Sequence, residues 1–193
     1  VGCHSLKYMR YNRMAEDIGI GEANLRKDDI LGEAKPGDQM AIPMRTEGAE
    51  KWFGVAVPDL TLVTRWRSPD WVYTYLKSFY TDPTRPWGVN NLVFPAVGMP
   101  HVLQGLQGVQ EPVLGEHHGE GTAAPTGVKL VQPGKLSAEQ YDAVVRDLTN
   151  FLTYAGEPMR LERQRLGWYV LGFLALFFVL AYLLKKEYWK DIH

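Results

Sequence analysis

The sequence predicts a mostly α-helical head with long loops, followed by one C-terminal helix that crosses a membrane. Three observations carry this expectation. An uncharged run of nineteen residues, Leu166 to Leu184, lies near the end of the chain. Apolar residues recur at helical spacing in several segments before it, and the stretches between them are rich in Gly, Pro and charge without periodicity. The 193 residues, 46% hydrophobic and 22% charged, leave room for one core and a short appendage. With a formal net charge of −1, nothing in the composition suggests nucleic acid as a partner.

Taken in order, the first helix is expected after His4, with Tyr11, Met14, Ala15 and Ile18 as its buried stripe. Gly19 to Gly48 then reads as a long loop. A second helix begins at Ser68, Pro69 and Asp70: the serine hydroxyl can cap, and proline lacks only an N–H that the first turn leaves unpaired anyway. Val72, Tyr75, Leu76 and Phe79 share one face before Asp82-Pro83. Gln104 to Gly134, with seven Gly and three Pro, reads as a second long loop with a small hairpin around Val128 to Val131. Ser137 to Ala155 is a third helix, because Tyr141, Val144, Val145, Leu148, Phe151, Leu152 and Ala155 form a stripe and Ser137 with Gln140 fits a capping box. Gly156-Glu157-Pro158 ends it.

The run Leu166 to Leu184 is long enough to cross a hydrocarbon core of ~30 Å as a helix. Trp168 and Tyr169 at one end, and Tyr182, Tyr188 and Trp189 at the other, suit the headgroup level. A buried core helix is the rival reading. Residues 1–159 carry 15 Lys and Arg against 19 Asp and Glu, whereas residues 160–193 carry 6 against 3. Both flanks of the span are basic, so positive charge alone does not orient it. The chain opens without Met or a leader, and its natural N-terminus is expected upstream.

Cys3 is the single cysteine, which excludes an intrachain disulfide. Val1-Gly2-Cys3-His4 forms the last four positions of C-x-x-C-H if a cysteine precedes Val1. In that motif thiols add to the haem vinyl groups and the adjacent imidazole ligates iron. A Cys-His pair by itself is better read as chance or a structural thiol, and an acylated cysteine is a sharper rival.

The opening CHSLKYMRYNRM resembles the haem-attachment helix of the cytochrome c1 family, and further matches follow in that family's order. Val57-Pro58-Asp59-Leu60-Thr61-Leu62 resembles its P-D-L-S segment. The R-x-R pair is Arg65 and Arg67, and the aromatic helix is Asp70-Trp71-Val72-Tyr73. Phe94-Pro95-Ala96-Val97-Gly98-Met99-Pro100 resembles the segment with the methionine iron ligand, and Ala155-Gly156-Glu157-Pro158 with one span resembles the tail anchor. The resemblance covers essentially the whole chain. Two departures are the first haem cysteine, outside the sequence, and loops that are short beside many relatives.

The resemblance implies a cytochrome c-like haem domain over residues 1–158 and a membrane anchor over 159–193, with a short cytoplasmic tail. It implies one haem c, covalently held by Cys3, with His4 and Met99 as axial ligands of the iron. Arg67 is the implied partner of a haem propionate, Arg65 a weaker candidate, and Trp71 a wall of the haem pocket. The implied function is electron transfer within a quinol:cytochrome c oxidoreductase, the cytochrome bc1 complex, in which this chain carries electrons and has no substrate-converting site. Its partners would be cytochrome b, a Rieske iron–sulfur protein as donor, a soluble cytochrome c as acceptor, and membrane lipid. The place implied is the bacterial inner membrane, crossed once, with the haem domain periplasmic and Lys185-Lys186 cytoplasmic, in keeping with positive-inside at that flank.

Met99 also makes chemical sense from its own residues, because a thioether opposite imidazole raises the potential and Gly98 permits a close backbone approach. Met9, Met14, Met40, Met44 and Met159 are expected to be structural or exposed, and His101, His117 and His118 structural or solvated. Glu111, Glu116 and Glu120 form a candidate acidic face for a basic soluble cytochrome, with a plain solvated loop as the rival. Two alternatives remain at this stage: another anchored c-type cytochrome feeding a terminal oxidase, and a haem-free, lipoprotein-like scaffold acylated at Cys3.

Overall fold

The computed structural model describes residues 2–27, 31–32, 34–115 and 124–191. These contain eight helices and six strands, the strands paired in three antiparallel two-stranded sheets. In chain order they are β1 (Leu6–Arg10), α1 (Tyr11–Asp17), α2 (Glu22–Lys27), β2 (Gln39–Met40), α3 (Thr46–Phe53), α4 (Val63–Trp66) and α5 (Pro69–Lys77). There follow β3 (Phe79–Thr81), β4 (Val89–Asn91), α6 (Gln104–Gln107), β5 (Gly108–Leu114), β6 (Pro125–Pro133), α7 (Ala138–Gly156) and α8 (Arg160–Tyr188). The chain divides into two compact units, Val1–Gly156 and Glu157–His193.

The core of the first unit joins Leu6 and Met9 of β1, Tyr11, Met14 and Ala15 of α1, Val72 and Leu76 of α5, and Tyr141, Val145, Leu152 and Ala155 of α7. Each buried Leu, Val or Met side chain here contributes ~1.5–3 kcal/mol by leaving water. Buried polar groups are paired as they must be: the Tyr141 hydroxyl donates to the Leu76 carbonyl at 2.8 Å, and Thr64 Oγ1 to the Leu152 carbonyl at 3.2 Å.

Local signals mark the helix starts. Ser68 caps α5 by accepting from the Trp71 N–H at 3.2 Å. At α7 the capping box closes in both directions, with the Gln140 N–H on Ser137 Oγ at 3.2 Å and the Ser137 N–H on Gln140 Oε1 at 3.0 Å.

Several segments differ from the sequence expectation. The stretch after His4 is not helical at once: Leu6–Arg10 is extended and pairs with β2, and its helix begins only at Tyr11. The Lys7 N–H donates to Asp59 Oδ2 at 2.8 Å, a long-range partner that a local pattern cannot register. Tyr11, Met14 and Ala15 are buried, but Ile18 lies at the helix end and is exposed. The loop expected from Gly19 to Gly48 contains α2, β2 and the start of α3. The hairpin expected around Val128 is longer, formed by all of β5 and β6. It starts at Gly108, where φ is +105° and a Cβ would come 2.1 Å from the Gln132 carbonyl oxygen, so only glycine fits.

In the second unit, α8 runs 29 residues, or ~44 Å at 1.5 Å per residue, which exceeds the hydrocarbon thickness. Its apolar window is wholly unburied by protein, as a lipid-facing helix needs and a soluble core helix does not.

Candidate functional site

The expected haem-attachment residues lie at the start of the chain, held by a splint from residues 58–61. His4 Nδ1 is 2.8 Å from the Pro58 carbonyl oxygen. A carbonyl only accepts, so Nδ1 carries the proton and Nε2 keeps its lone pair for a metal. The Leu60 N–H donates to the Ser5 carbonyl at 2.9 Å, and the carboxylate of Asp59 accepts from Lys7 and from Thr61 N–H at 2.8 and 3.0 Å. Burial opposes ionisation of Asp59, yet these N–H donors, with the Thr61 side chain, hold its carboxyl below the usual carboxylate range. Cys3 is exposed beside His4 with a free thiol.

The splint leads into α4 and so to the two arginines. Arg67 sits just past α4, its guanidinium over the rings of Trp66, Trp71 and Phe94 at 4.0, 4.8 and 5.6 Å. Its Nε is buried without a hydrogen-bond partner, and among the described residues no carboxylate pairs with it. A partly buried guanidinium ringed by aromatics and lacking an anion is the donor set that a propionate completes. Arg65 is exposed, and its aliphatic stem lies beside Gly156.

Between Arg67 and α5, Ser68 adopts φ +84°, an unusual conformation for a residue with a side chain. On α5, Trp71 stacks on Tyr75 four residues later, with centroids 5.1 Å apart and planes at 11°. Phe94 meets both edge-on, at 6.2 and 6.5 Å. Tyr75 in turn donates its hydroxyl to Met99 Sδ at 3.4 Å. Burial pushes the Tyr75 phenol up to about 12, so it is neutral and a donor at physiological pH. Arg67, Trp71 and Met99 are thus joined through Tyr75 and Phe94.

The segment bearing Met99 has little regular structure and is held by side chains. Asn91, fully buried, accepts from the N–H groups of Val93 and Phe94 at 3.0 and 3.2 Å and from Ser78 Oγ at 3.3 Å, and donates to the Tyr75 carbonyl at 2.8 Å. Asn90 Oδ1 accepts from Ala96 N–H at 2.9 Å, and Arg85 Nη2 donates to the Ala96 and Val97 carbonyls at 2.8 and 3.4 Å. Ala96 is kept at φ +60°. A Cβ on Gly98 would come within 3.0 Å of Val55 Cγ2.

Three of the five competing methionines, and His101, are packed elsewhere in the fold. Met9, Met14 and Met40 belong to the main core, Met44 is half-buried and Met159 exposed. His101 stacks on Phe79 with centroids 4.7 Å apart and shares a hydrogen bond with Gln107 Oε1 at 2.8 Å; burial lowers its pKa, as for a neutral structural imidazole. Glu111 is exposed on β5, whereas Glu116, His117, His118 and Glu120 lie outside the described residues. Among the described residues no three His, Cys, Asp or Glu side chains converge on a point that would hold a bare metal ion. His4 Nε2, the Met99 thioether and the Arg67 guanidinium are groups of the kind a haem takes, two for its iron and one for a propionate.

Pro58, Tyr75, Asn90, Asn91 and Arg85 were not singled out as site residues by sequence reasoning. The i, i+4 spacing of Trp71 and Tyr75 is the one local signal that points to any of them.

The family model described as the cytochrome C1 family matches residues 129–192. Cytochrome c1 of Allochromatium vinosum is 66% identical over all of this chain and 79% of its own length. The ammonia monooxygenase gamma subunit of Nitrosomonas europaea is 47% identical over 99% of this chain and 77% of its own. Cytochrome c1 of Blastochloris viridis is 24% identical, over 91% of this chain and 64% of its own.

Proposed function

The chain belongs to the cytochrome c1 family, and we propose that a haem c would be held covalently by Cys3, with His4 and Met99 supplying its two iron ligands. Members of this family bind one covalent haem c, and the chain is the haem c electron-transfer subunit of a cytochrome bc1 complex. The observation that carries this is the 66% identity to a cytochrome c1 along the entire chain.

Haem c supplies a one-electron iron couple. The residues of the chain bind and tune it. Pro58 fixes the tautomer and direction of His4, which presents Nε2. Arg67 offers the charge that a propionate needs, with Trp71 and Phe94 excluding water around it. Arg65 is the second, weaker propionate candidate. Asn90, Asn91 and Arg85 hold the segment that presents Met99.

In this reading residues 1–158 form a cytochrome c-like haem domain in the periplasm, and 159–193 form the anchor in the bacterial inner membrane with a cytoplasmic tail. The domain receives single electrons from a Rieske iron–sulfur protein, beside cytochrome b, and passes them to a soluble cytochrome c. The test is to purify the full chain from its membrane in detergent. Cytochrome b and a Rieske protein should accompany it, and quinol should reduce its haem in a way that soluble cytochrome c reverses. The Nitrosomonas relative bears the name of a monooxygenase subunit. Isolation with a monooxygenase and without cytochrome b would favour that second assignment.

A further inference from the structure

We propose that Tyr75 is a positioning residue for the Met99 thioether, and that its hydrogen bond to the sulfur raises the reduction potential of the bound haem. This rests on the reading of Met99 as the sixth ligand.

The contact is specific. Tyr75 donates to Met99 Sδ at 3.4 Å, the hydrogen bond of its hydroxyl. A thioether sulfur has two lone pairs, so one can face iron while the other accepts from the phenol. Methionine has three rotatable bonds and otherwise wanders among rotamers, whereas a tethered sulfur is held in one place. Tyr75 itself has little freedom: its ring stacks on Trp71, meets Phe79 edge-on at 5.0 Å and packs against Phe94. Its carbonyl accepts from Asn91, whose Oδ1 also holds Val93 and Phe94 on the segment leading to Met99. One buried asparagine therefore ties the backbone of Tyr75 to the start of the segment that leads to Met99.

The electronic consequence follows from ligand chemistry. A hydrogen bond on sulfur draws electron density from it and weakens its donation to iron. Ferric iron loses more by this than ferrous iron, so the reduced form is favoured. Phenylalanine at the same place keeps every ring contact and removes only the donor.

The experiment compares the full-length protein with Tyr75→Phe and Met99→Leu, all purified in detergent. Tyr75→Phe should keep covalent haem, keep the sulfur-to-ferric-iron absorption band at a shifted wavelength, refuse carbon monoxide, and titrate at a lower potential. Met99→Leu should lose that band and bind carbon monoxide. If Met99→Leu loses the band while Tyr75→Phe leaves both wavelength and potential unchanged, the tuning role of Tyr75 is wrong and the ligand stands. If Met99→Leu changes neither band nor carbon monoxide binding, the ligand reading fails, and this proposal with it. A Tyr75→Phe protein that cannot retain haem also counts against the proposal, because the hydroxyl would then serve the fold rather than the ligand.

Discussion

His4 donates from Nδ1 to the carbonyl oxygen of Pro58, 54 residues away, at 2.8 Å. Through this bond the tautomer and direction of the imidazole are fixed by protein alone, and the residues beside Pro58 repeat the theme on Ser5, Lys7 and Tyr8.

A pH dependence follows from Asp59. Its folded pKa is depressed, so the stability it contributes is complete above its unfolded pKa near ~3.9 and is lost as pH falls through the lower folded value. Asp59→Asn should lose roughly 1 kcal/mol at neutral pH, because the amide cannot accept from both Lys7 and Thr61 without turning an NH₂ toward one of them. It should also flatten the acid limb of stability against pH. Thermal unfolding followed in haem absorbance from pH 3 to pH 7 checks both.

Replacing Arg67 by Gln removes the charge expected beside a propionate. Haem attachment should survive and the midpoint potential should fall, since a nearby cation favours the reduced iron by roughly 1 kcal/mol at an effective dielectric of about 20. Arg65→Gln should shift the potential less. Redox titration of the two variants side by side decides between them.

Asn91→Ala strips a fully buried hub of four hydrogen bonds. Stability should drop by about 2–3 kcal/mol, because the part-buried N–H groups of Val93 and Phe94 lose their acceptor and Ser78 and Tyr75 lose a partner. The loosened segment should also let carbon monoxide reach the reduced iron. Denaturant unfolding and carbon monoxide difference spectra test the two parts separately.

Cutting the chain after Pro158 should release a soluble head that keeps its haem. The second unit, Glu157–His193, contributes a helix with an unburied apolar surface and no residue of the site. Retention of the truncated head in membranes depleted of cytochrome b would contradict a single anchor.

What was legible in the sequence was what depends on near neighbours. Ser68 and Ser137 each announce a helix because a hydroxyl, its backbone target and the apolar stripe lie within a few residues. The strand Leu6–Arg10 was illegible because its partners, Met40 and Asp59, are distant in the chain. Helix Thr46–Phe53 was hidden by Gly48 in its first turn. Within the candidate site, Cys3, His4, Arg67, Trp71 and Met99 are the residues that the resemblance to the cytochrome c1 family singles out. Their supports could not be read in the same way: a backbone carbonyl at Pro58 has no side-chain signature, and the bonds of Asn91 and Tyr75 exist only once α5, β4 and the Met99 segment meet.

The most direct measurement is the mass of the denatured polypeptide and of its proteolytic peptide containing Cys3. The account predicts one haem still attached, and attached to that peptide. A full-length chain carrying no haem after denaturation, or carrying a lipid on Cys3 instead, would contradict it.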